Sequence, residues 1–188
     1  MTVKVLNRTS GDASMWVAIN RWGNDGDTGR FPVKQGMTET WERSDASGFI
    51  MVVSIGKTPE TARSASYFVQ ADSDIVVEDH KVTDKGRKIS AHERPNAGAG
   101  PRLSVHNDTE RKIDVAINHW GNDGETRFFP VLPNGDETWD RSDPRGFVMV
   151  IKRLGAVLQY FVAAGDKIVV TDEGVLRNDI VVKPLVGH

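Results

Sequence analysis

The sequence contains no cysteine among its 188 residues, which excludes a disulfide framework and any chemistry that depends on a thiol. No apolar run approaches the roughly 20 residues that a helix needs to span a bilayer. The first residues enter a strand-like pattern at once, without the charged segment and apolar stretch of a signal peptide. We therefore expect a protein that is cytoplasmic or that is secreted without a leader peptide.

Histidine is also scarce, and the five present do not recur at matching positions of the chain. No metal-ligand cluster, nucleophile elbow or phosphate loop is recognisable, so no cofactor and no enzymatic activity are predicted. Glu39, Glu42 and Asp45 could supply a carboxylate pair for glycoside hydrolysis, but carboxylates beside an arginine on an exposed strand are more often solvated. The net charge of −2 argues against nucleic acid as a partner.

The chain does contain one stretch twice. Residues 17–26 read Val-Ala-Ile-Asn-Arg-Trp-Gly-Asn-Asp-Gly, and residues 115–124 differ from them at a single position, where His119 replaces Arg21. The same offset of 98 residues relates Trp41 to Trp139. An internal duplication predicts two related domains of about 90 residues each. We place them at residues 1–84 and 102–188, joined by a linker at 85–101 that ends rich in Gly, Ala and Pro.

Alternation of apolar and polar residues predicts short strands throughout both copies. Met15, Val17 and Ile19 alternate with Trp16, Ala18 and Asn20, which is typical of a strand buried on one face. Asp114 of the second copy indicates that the other face is wet, so Trp16 is expected to point away from the core, either as a contact residue or as part of an interdomain seam. Residues 49–53 are apolar throughout, as in a strand covered on both faces. About seven strands per copy, with no helical period, predict an all-β protein of two tandem antiparallel β-sandwiches.

Several details follow from single residues. The proline in each Phe-Pro-Val segment (31–33 and 129–131) favours an edge strand. Asn7 and Asn107 begin N-glycosylation patterns, which we interpret instead as turns at strand ends. Residues 179–184 predict one last strand that the first copy lacks or pairs differently.

A set of aromatic and polar residues near the turns recurs in both copies and forms the candidate ligand-binding site. Sugar recognition needs an aromatic face for the apolar C–H patch and rigid polar groups for the hydroxyls. The competing interpretation is that the tryptophans close the ends of the core and that the arginine and aspartate pair locally. The candidates are Trp22, Asn24, Asp25, Trp41, Arg43, Asp45 and Tyr67 in the first copy, and Trp120, Asn122, Asp123, Trp139, Arg141, Asp143 and Tyr160 in the second.

The Asn-Asp-Gly turns also raise the question of calcium, because Asn24, Asp25 and Asp27 carry oxygen ligands. Their spacing is not that of the 12-residue calcium loop, and Asn-Asp-Gly is common in turns. We predict no metal site, and calcium dependence is left open.

Both copies resemble the compact β-sandwich of the actinoporins, the aegerolysins and the fungal fruit-body lectins. The order of Trp16-Val-Ala-Ile-Asn, Phe31-Pro32-Val33 and Tyr67-Phe68-Val69 is similar to the actinoporin sandwich. Trp22-Gly23 followed by Arg43-Ser44-Asp45 is similar to the aegerolysin pattern. The resemblance implies binding of membrane lipids or glycans, but neither copy has the amphipathic N-terminal helix or the aromatic cluster of the actinoporins.

These observations predict a lectin-like protein that binds cell-surface glycans or glycolipids, in which duplication of a weak site increases avidity. One alternative is a membrane-lipid-binding, cytolysin-like toxin component that contacts the membrane surface through Trp16. Another is a structural or storage protein with buried tryptophans. Assembly into a homo-oligomer is left open.

Overall fold

The structure is a computed structural model that describes residues 1–24, 26–92, 100–122 and 124–185. The chain divides into two compact units, with the boundary after residue 93. Every regular element of the described residues is a strand, so the predicted all-β class is confirmed. Those residues contain no helix long and apolar enough to cross a membrane.

Within the described residues each unit has nine strands rather than the seven or so predicted. In the first unit these are β1 (Thr2–Asn7), β2 (Ser14–Ile19), β3 (Phe31–Val33), β4 (Thr38–Glu42), β5 (Phe49–Gly56), β6 (Arg63–Val69), β7 (Asp74–Glu78), β8 (Lys81–Asp84) and β9 (Arg87–Ile89). In the second they are β10 (Arg102–Asn107), β11 (Ile113–Ile117), β12 (Phe129–Val131), β13 (Asp136–Asp140), β14 (Phe147–Arg153), β15 (Ala156–Val162), β16 (Lys167–Val170), β17 (Val175–Arg177) and β18 (Ile180–Val182).

The nine strands of the first unit form two sheets, with strand orders β4-β1-β7-β8-β9 and β3-β2-β5-β6. The second unit repeats this arrangement as β13-β10-β16-β17-β18 and β12-β11-β14-β15. The pairing is antiparallel except between β1 and β7, and between β10 and β16, which are parallel. These pairs join strands far apart in the sequence, so no short hairpin turn imposes the antiparallel direction on them.

Alternate residues of the strands build the core of each sandwich. Val3 and Val5 of β1 are fully buried, as are Val17 and Ile19 of β2. Phe49–Val53 of β5 are buried at every position, which confirms the strand predicted to be covered on both faces. The proline-containing strands β3 and β12 lie at sheet edges, as predicted.

The last strand of the chain has a counterpart in the first unit, contrary to our prediction. β18 pairs with β17 in the register in which β9 pairs with β8, and the pair Val175–Val182 corresponds to Val82–Ile89. β9 lies inside the segment predicted to be linker. Its first two residues, Arg87 and Lys88, are exposed, as charged residues of an edge strand commonly are. With two consecutive charged residues, β9 has no alternation of apolar and polar residues that the sequence could reveal.

The two glycosylation patterns are turns at strand ends, as predicted. The Asn7 side chain is buried, where its Nδ2 donates to the carbonyl of Val33 at 2.8 Å and its Oδ1 accepts from the Thr9 backbone N–H at 2.9 Å. Asn107 repeats these contacts with Val131 and Thr109. Each amide nitrogen that a glycan would modify is therefore used inside the fold.

Candidate functional site

Arg43 organises the loop that contains the repeated Trp-Gly-Asn-Asp-Gly motif. Its side chain is only 1% exposed, and its guanidinium donates to the carbonyls of Ile19 at 2.8 Å, Asn20 at 2.9 Å and Asp27 at 2.6 Å. A fourth hydrogen bond, to the carbonyl of Glu42, is 2.7 Å long. Arg43 therefore ties β4 to the end of β2 and to the loop that follows it.

The second glycine of the motif allows this arginine to fit. Gly26 has a φ of 73°, and a Cβ atom at this position would collide with Nη1 of Arg43. A side chain is therefore disfavoured by both the backbone conformation and the contact. Arg141 and Gly124 repeat the arrangement, with Arg141 donating to Ile117, Asn118 and Glu125. Packing thus explains much of a motif whose loop we had interpreted mainly as functional.

The four candidate tryptophans of the repeat are buried. Trp22 is 7% exposed and its Nε1 donates to the carbonyl of Gly48 at 2.8 Å, while Trp120 makes the same bond to Gly146. Trp41 and Trp139 are 6% and 5% exposed. Little of any of the four indoles is therefore accessible to a ligand.

Beside Trp41, the first unit has a groove between the edge strands β3 and β4 of its two sheets. The groove has a volume of about 550 Å³. Phe31 packs against Trp41 in an edge-to-face contact with ring centroids 6.4 Å apart, and 38% of the Phe31 surface stays exposed. The walls add the exposed carboxylates of Asp27, Glu39 and Glu42. We call this site the β3–β4 groove; it is lined by Gly26, Asp27, Phe31, Pro32, Glu39, Thr40, Trp41, Glu42 and Arg43.

The second unit has the equivalent β12–β13 groove, lined by Gly124, Glu125, Phe129, Glu137, Thr138, Trp139, Asp140 and Arg141. It is smaller, at about 210 Å³. Arg127, which stands where the first unit has Gly29, lies over the Phe129 ring at 4.8 Å and pairs with Glu125. Arg102 pairs with Asp140 at 3.1 Å. The aromatic face and two of the carboxylates are therefore already engaged in this unit.

In the β3–β4 groove the corresponding groups are uncovered. Gly29 has no side chain to place over Phe31, and Thr2 stands opposite Glu42 where Arg102 stands opposite Asp140. Among the residues that the structure describes, the side-chain carboxylates of Glu39 and Glu42 have no hydrogen-bond or ion-pair partner. An uncovered aromatic ring beside carboxylate acceptors can receive an apolar surface and hydroxyl donors together.

The remaining predicted residues lie outside this groove. Asn24 and Asn122 are exposed, and Asp25 and Asp123 lie outside the described residues. Asp45 accepts from the backbone N–H of Ser47 at 2.8 Å, as Asp143 does from Arg145 at 2.9 Å. Arg145 also pairs with the Asp143 carboxylate at 2.7 Å and stacks on Trp120 at 3.6 Å. These aspartates have a local structural role in their loops.

Tyr67 and Tyr160 are buried to different degrees. Tyr67 lines a separate cavity of its unit, whereas Tyr160 is only 3% exposed. Burial raises the pKa of both phenols, so each stays protonated at neutral pH. Trp16 is half-buried and pairs across the sheet with Pro32 and Ser54, on the face opposite Met15 and Val17, as predicted.

Of the predicted set in the first unit, Trp41 and Arg43 line the β3–β4 groove, whereas Trp22, Asp45 and Tyr67 do not. Sequence reasoning did not assign Phe31, Glu39 and Glu42 to the site. The available signal was the recurrence of all three types, since Phe129, Glu137 and Asp140 occupy the matching positions. The turn residue Asp27 accepts from the Gly29 backbone N–H at 2.7 Å. No group of three or more metal-ligating side chains occurs among the described residues.

Comparison with known proteins adds no relative, since no protein-family model matches the chain and no curated protein is significantly similar to it.

Proposed function

We propose that the protein is a lectin-like, non-enzymatic binder of cell-surface glycans or glycolipids, and that the β3–β4 groove is its main site. The observation that supports this most is the recurrence of the groove in both units, with an aromatic pair and three carboxylates each time. A volume of about 550 Å³ lies within the range of roughly 300–1,000 Å³ typical of ligand sites. The proposal includes a relationship of this chain to the fungal fruit-body lectins.

The chemistry of the groove favours neutral or amine-bearing sugars over acidic ones. A pyranose can place its C–H face on the exposed part of Phe31, while its hydroxyls donate to Glu39 and Glu42. The guanidinium of Arg43 is committed to four backbone carbonyls, so it is a poor partner for a sialic acid or sulfate. Three carboxylates would repel such anionic groups.

The first experiment is an array of neutral, amine-bearing and acidic glycans, followed by titration of the glycan that gives the strongest signal. We expect Phe31→Ala to weaken its binding about tenfold, because loss of one stacking contact costs about 1.4 kcal/mol. Glu39→Gln should weaken binding too, since an amide is a poorer acceptor than a carboxylate. Phe129→Ala is the matched control and should have a smaller effect, because Arg127 already covers that ring.

Unchanged glycan affinity in folded Phe31→Ala and Glu39→Gln variants would contradict the assignment of the groove. Absence of binding to every glycan, combined with binding to sphingomyelin vesicles that is lost in Trp16→Ala, would favour the membrane-lipid alternative instead.

A second prediction exchanges the residues that distinguish the two grooves. We expect Gly29→Arg to weaken binding of the same glycan about tenfold, because an arginine there can cover Phe31 as Arg127 covers Phe129. Arg127→Gly should strengthen binding by the second unit. A Cβ at Gly29 would lie 3.2 Å from Oδ1 of Asp27 and 3.8 Å from Phe31, and Gly29 does not have a positive φ, so a small shift of the Asp27 side chain should let the first variant fold. Titration calorimetry measures both effects, and equal affinity of Gly29→Arg and the wild type would refute the explanation.

A further inference from the structure

The first unit contains a second cavity, on the side of the sandwich away from the β3–β4 groove. It lies between β5 and β6 of one sheet and β7 and β8 of the other, and its volume is about 390 Å³. Its lining is aliphatic where the two sheets face each other and charged where the cavity meets solvent. The apolar residues are Val53, Ile55, Ala65, Val77 and Val82, with Tyr67 beside them, and the charged or polar ones are Arg63, Glu78, Asp79, His80 and Lys81.

Most charges at the cavity mouth already have partners. Lys81 pairs with Glu78 at 3.1 Å, and the Asp79 carboxylate accepts from both the backbone N–H and the hydroxyl of Ser10. The guanidinium of Arg63 differs, since it has no hydrogen-bond or ion-pair partner within the part of the chain that the structure describes. The mouth therefore offers one guanidinium that is available to a ligand.

The second unit has larger side chains at two positions that match this cavity. Strand pairing fixes the correspondence, because Met51 pairs with Tyr67 in the register in which Met149 pairs with Tyr160. Arg153 then stands at the position of Ile55, and Leu158 at the position of Ala65.

Arg153 bridges the two sheets of its unit. Its guanidinium donates to the carbonyl of Thr171 and, at 2.9 Å, to that of Asp172, which lie just beyond β16. Leu158 has three side-chain carbon atoms beyond Cβ, whereas Ala65 ends at Cβ. Tyr160 is only 3% exposed, whereas its counterpart Tyr67 is half-buried. The first unit has neither of these larger side chains at the matching positions, which leaves more space between its sheets.

We propose that this cavity of the first unit binds one small amphipathic carboxylic acid, with its alkyl chain between the sheets and its carboxylate at Arg63. An aliphatic lining of this size gains free energy from burying an alkyl chain, at about 0.8 kcal/mol per CH₂ group. A guanidinium is a suitable donor to a carboxylate. This activity is independent of glycan binding, because the two sites share no residue.

The test is titration of the full chain with octanoate. Calorimetry measures the affinity and stoichiometry, and NMR records the methyl signals of Val53, Val77 and Val82. The wild type should bind one octanoate per chain and shift these methyl signals. Ala65→Leu and Ile55→Arg, which install the larger side chains of the second unit, should each weaken binding at least about tenfold. The triple variant Arg153→Ile/Ala156→Arg/Leu158→Ala also places a guanidinium where the first unit has Arg63, and it should raise the stoichiometry from one to two.

The carboxylate is tested separately. Arg63→Gln should weaken octanoate binding and leave binding of octanol nearly unchanged, because only the anion uses the guanidinium. Absence of octanoate-dependent methyl shifts in the wild type would overturn the proposal, as would unaltered affinity in a folded Ala65→Leu variant. Ala65→Leu adds an apolar side chain to a space already present, so it keeps the test valid even where Ile55→Arg disturbs the fold. Glycan binding should not change in any of these variants.

Discussion

Replacement of Arg43 by methionine lowers the free energy of unfolding of the first unit by about 3–5 kcal/mol, the cost expected when a buried hydrogen-bonding cation is removed from its partners. The carbonyls of Ile19, Asn20 and Asp27 would lose their donor where water has little access. Methionine fills most of the volume, so the loss reports hydrogen bonding more than packing. An effect of this size is a large fraction of the stability of a domain of this length.

The measurement is native-state hydrogen exchange on the full-length chain. Amides of β5 report the first unit and those of β14 the second, so each molecule contains its own reference. Arg30→Met is the matched control, because Arg30 is exposed and makes one hydrogen bond, to Pro59 at 2.9 Å, and its loss should cost less than about 1 kcal/mol. Equal protection of the β5 amides in the Arg43→Met and Arg30→Met variants would show that the guanidinium is not needed for stability.

Much of the fold was accessible from the sequence because the strands carry their burial pattern locally. The continuous apolar run of β5 follows from its being covered on both faces, and that prediction is confirmed. β2 alternates as predicted only in its first half, because Ala18, on the face expected to be wet, is fully buried. β9 failed the same test because only Ile89 of its three residues is buried. A three-residue edge strand with two exposed cations has no detectable period.

The candidate site was less accessible because it depends on which edges meet. Phe31 and Trp41 lie on consecutive strands of different sheets, and nothing in the local pattern shows that β3 and β4 are opposed edges. The duplication identified residues that recur, but it could not separate those kept for packing from those that reach solvent. Arg43 is the clearest example, since a recurring arginine beside carboxylates suggested a polar ligand contact, and the structure gives it backbone partners instead.

Trp22 presents the same choice between packing and recognition, and its substitution distinguishes them. We expect Trp22→Ala to destabilise the first unit by about 3–5 kcal/mol, because it removes a large buried side chain and leaves the carbonyl of Gly48 without its indole donor. Trp22→Phe should cost less, since it keeps most of the buried area and loses the one hydrogen bond. Hydrogen exchange of the β5 amides again provides the measurement.

The matched variant Trp120→Ala should have a comparable effect on the second unit, with a further loss from Arg145, which stacks on that indole at 3.6 Å. The decisive comparison is with the groove. Phe31→Ala should reduce glycan binding at nearly unchanged stability, whereas Trp22→Phe should reduce stability and leave glycan binding nearly unchanged. If Trp22→Phe abolished glycan binding while the β5 amides kept their full protection, Trp22 would be a ligand contact, and its burial against Gly48 would have to open when the sugar binds. Without that result, the recurrence of tryptophan at residues 22 and 120 is explained by the hydrogen bond that each makes to a glycine carbonyl at the start of a central strand.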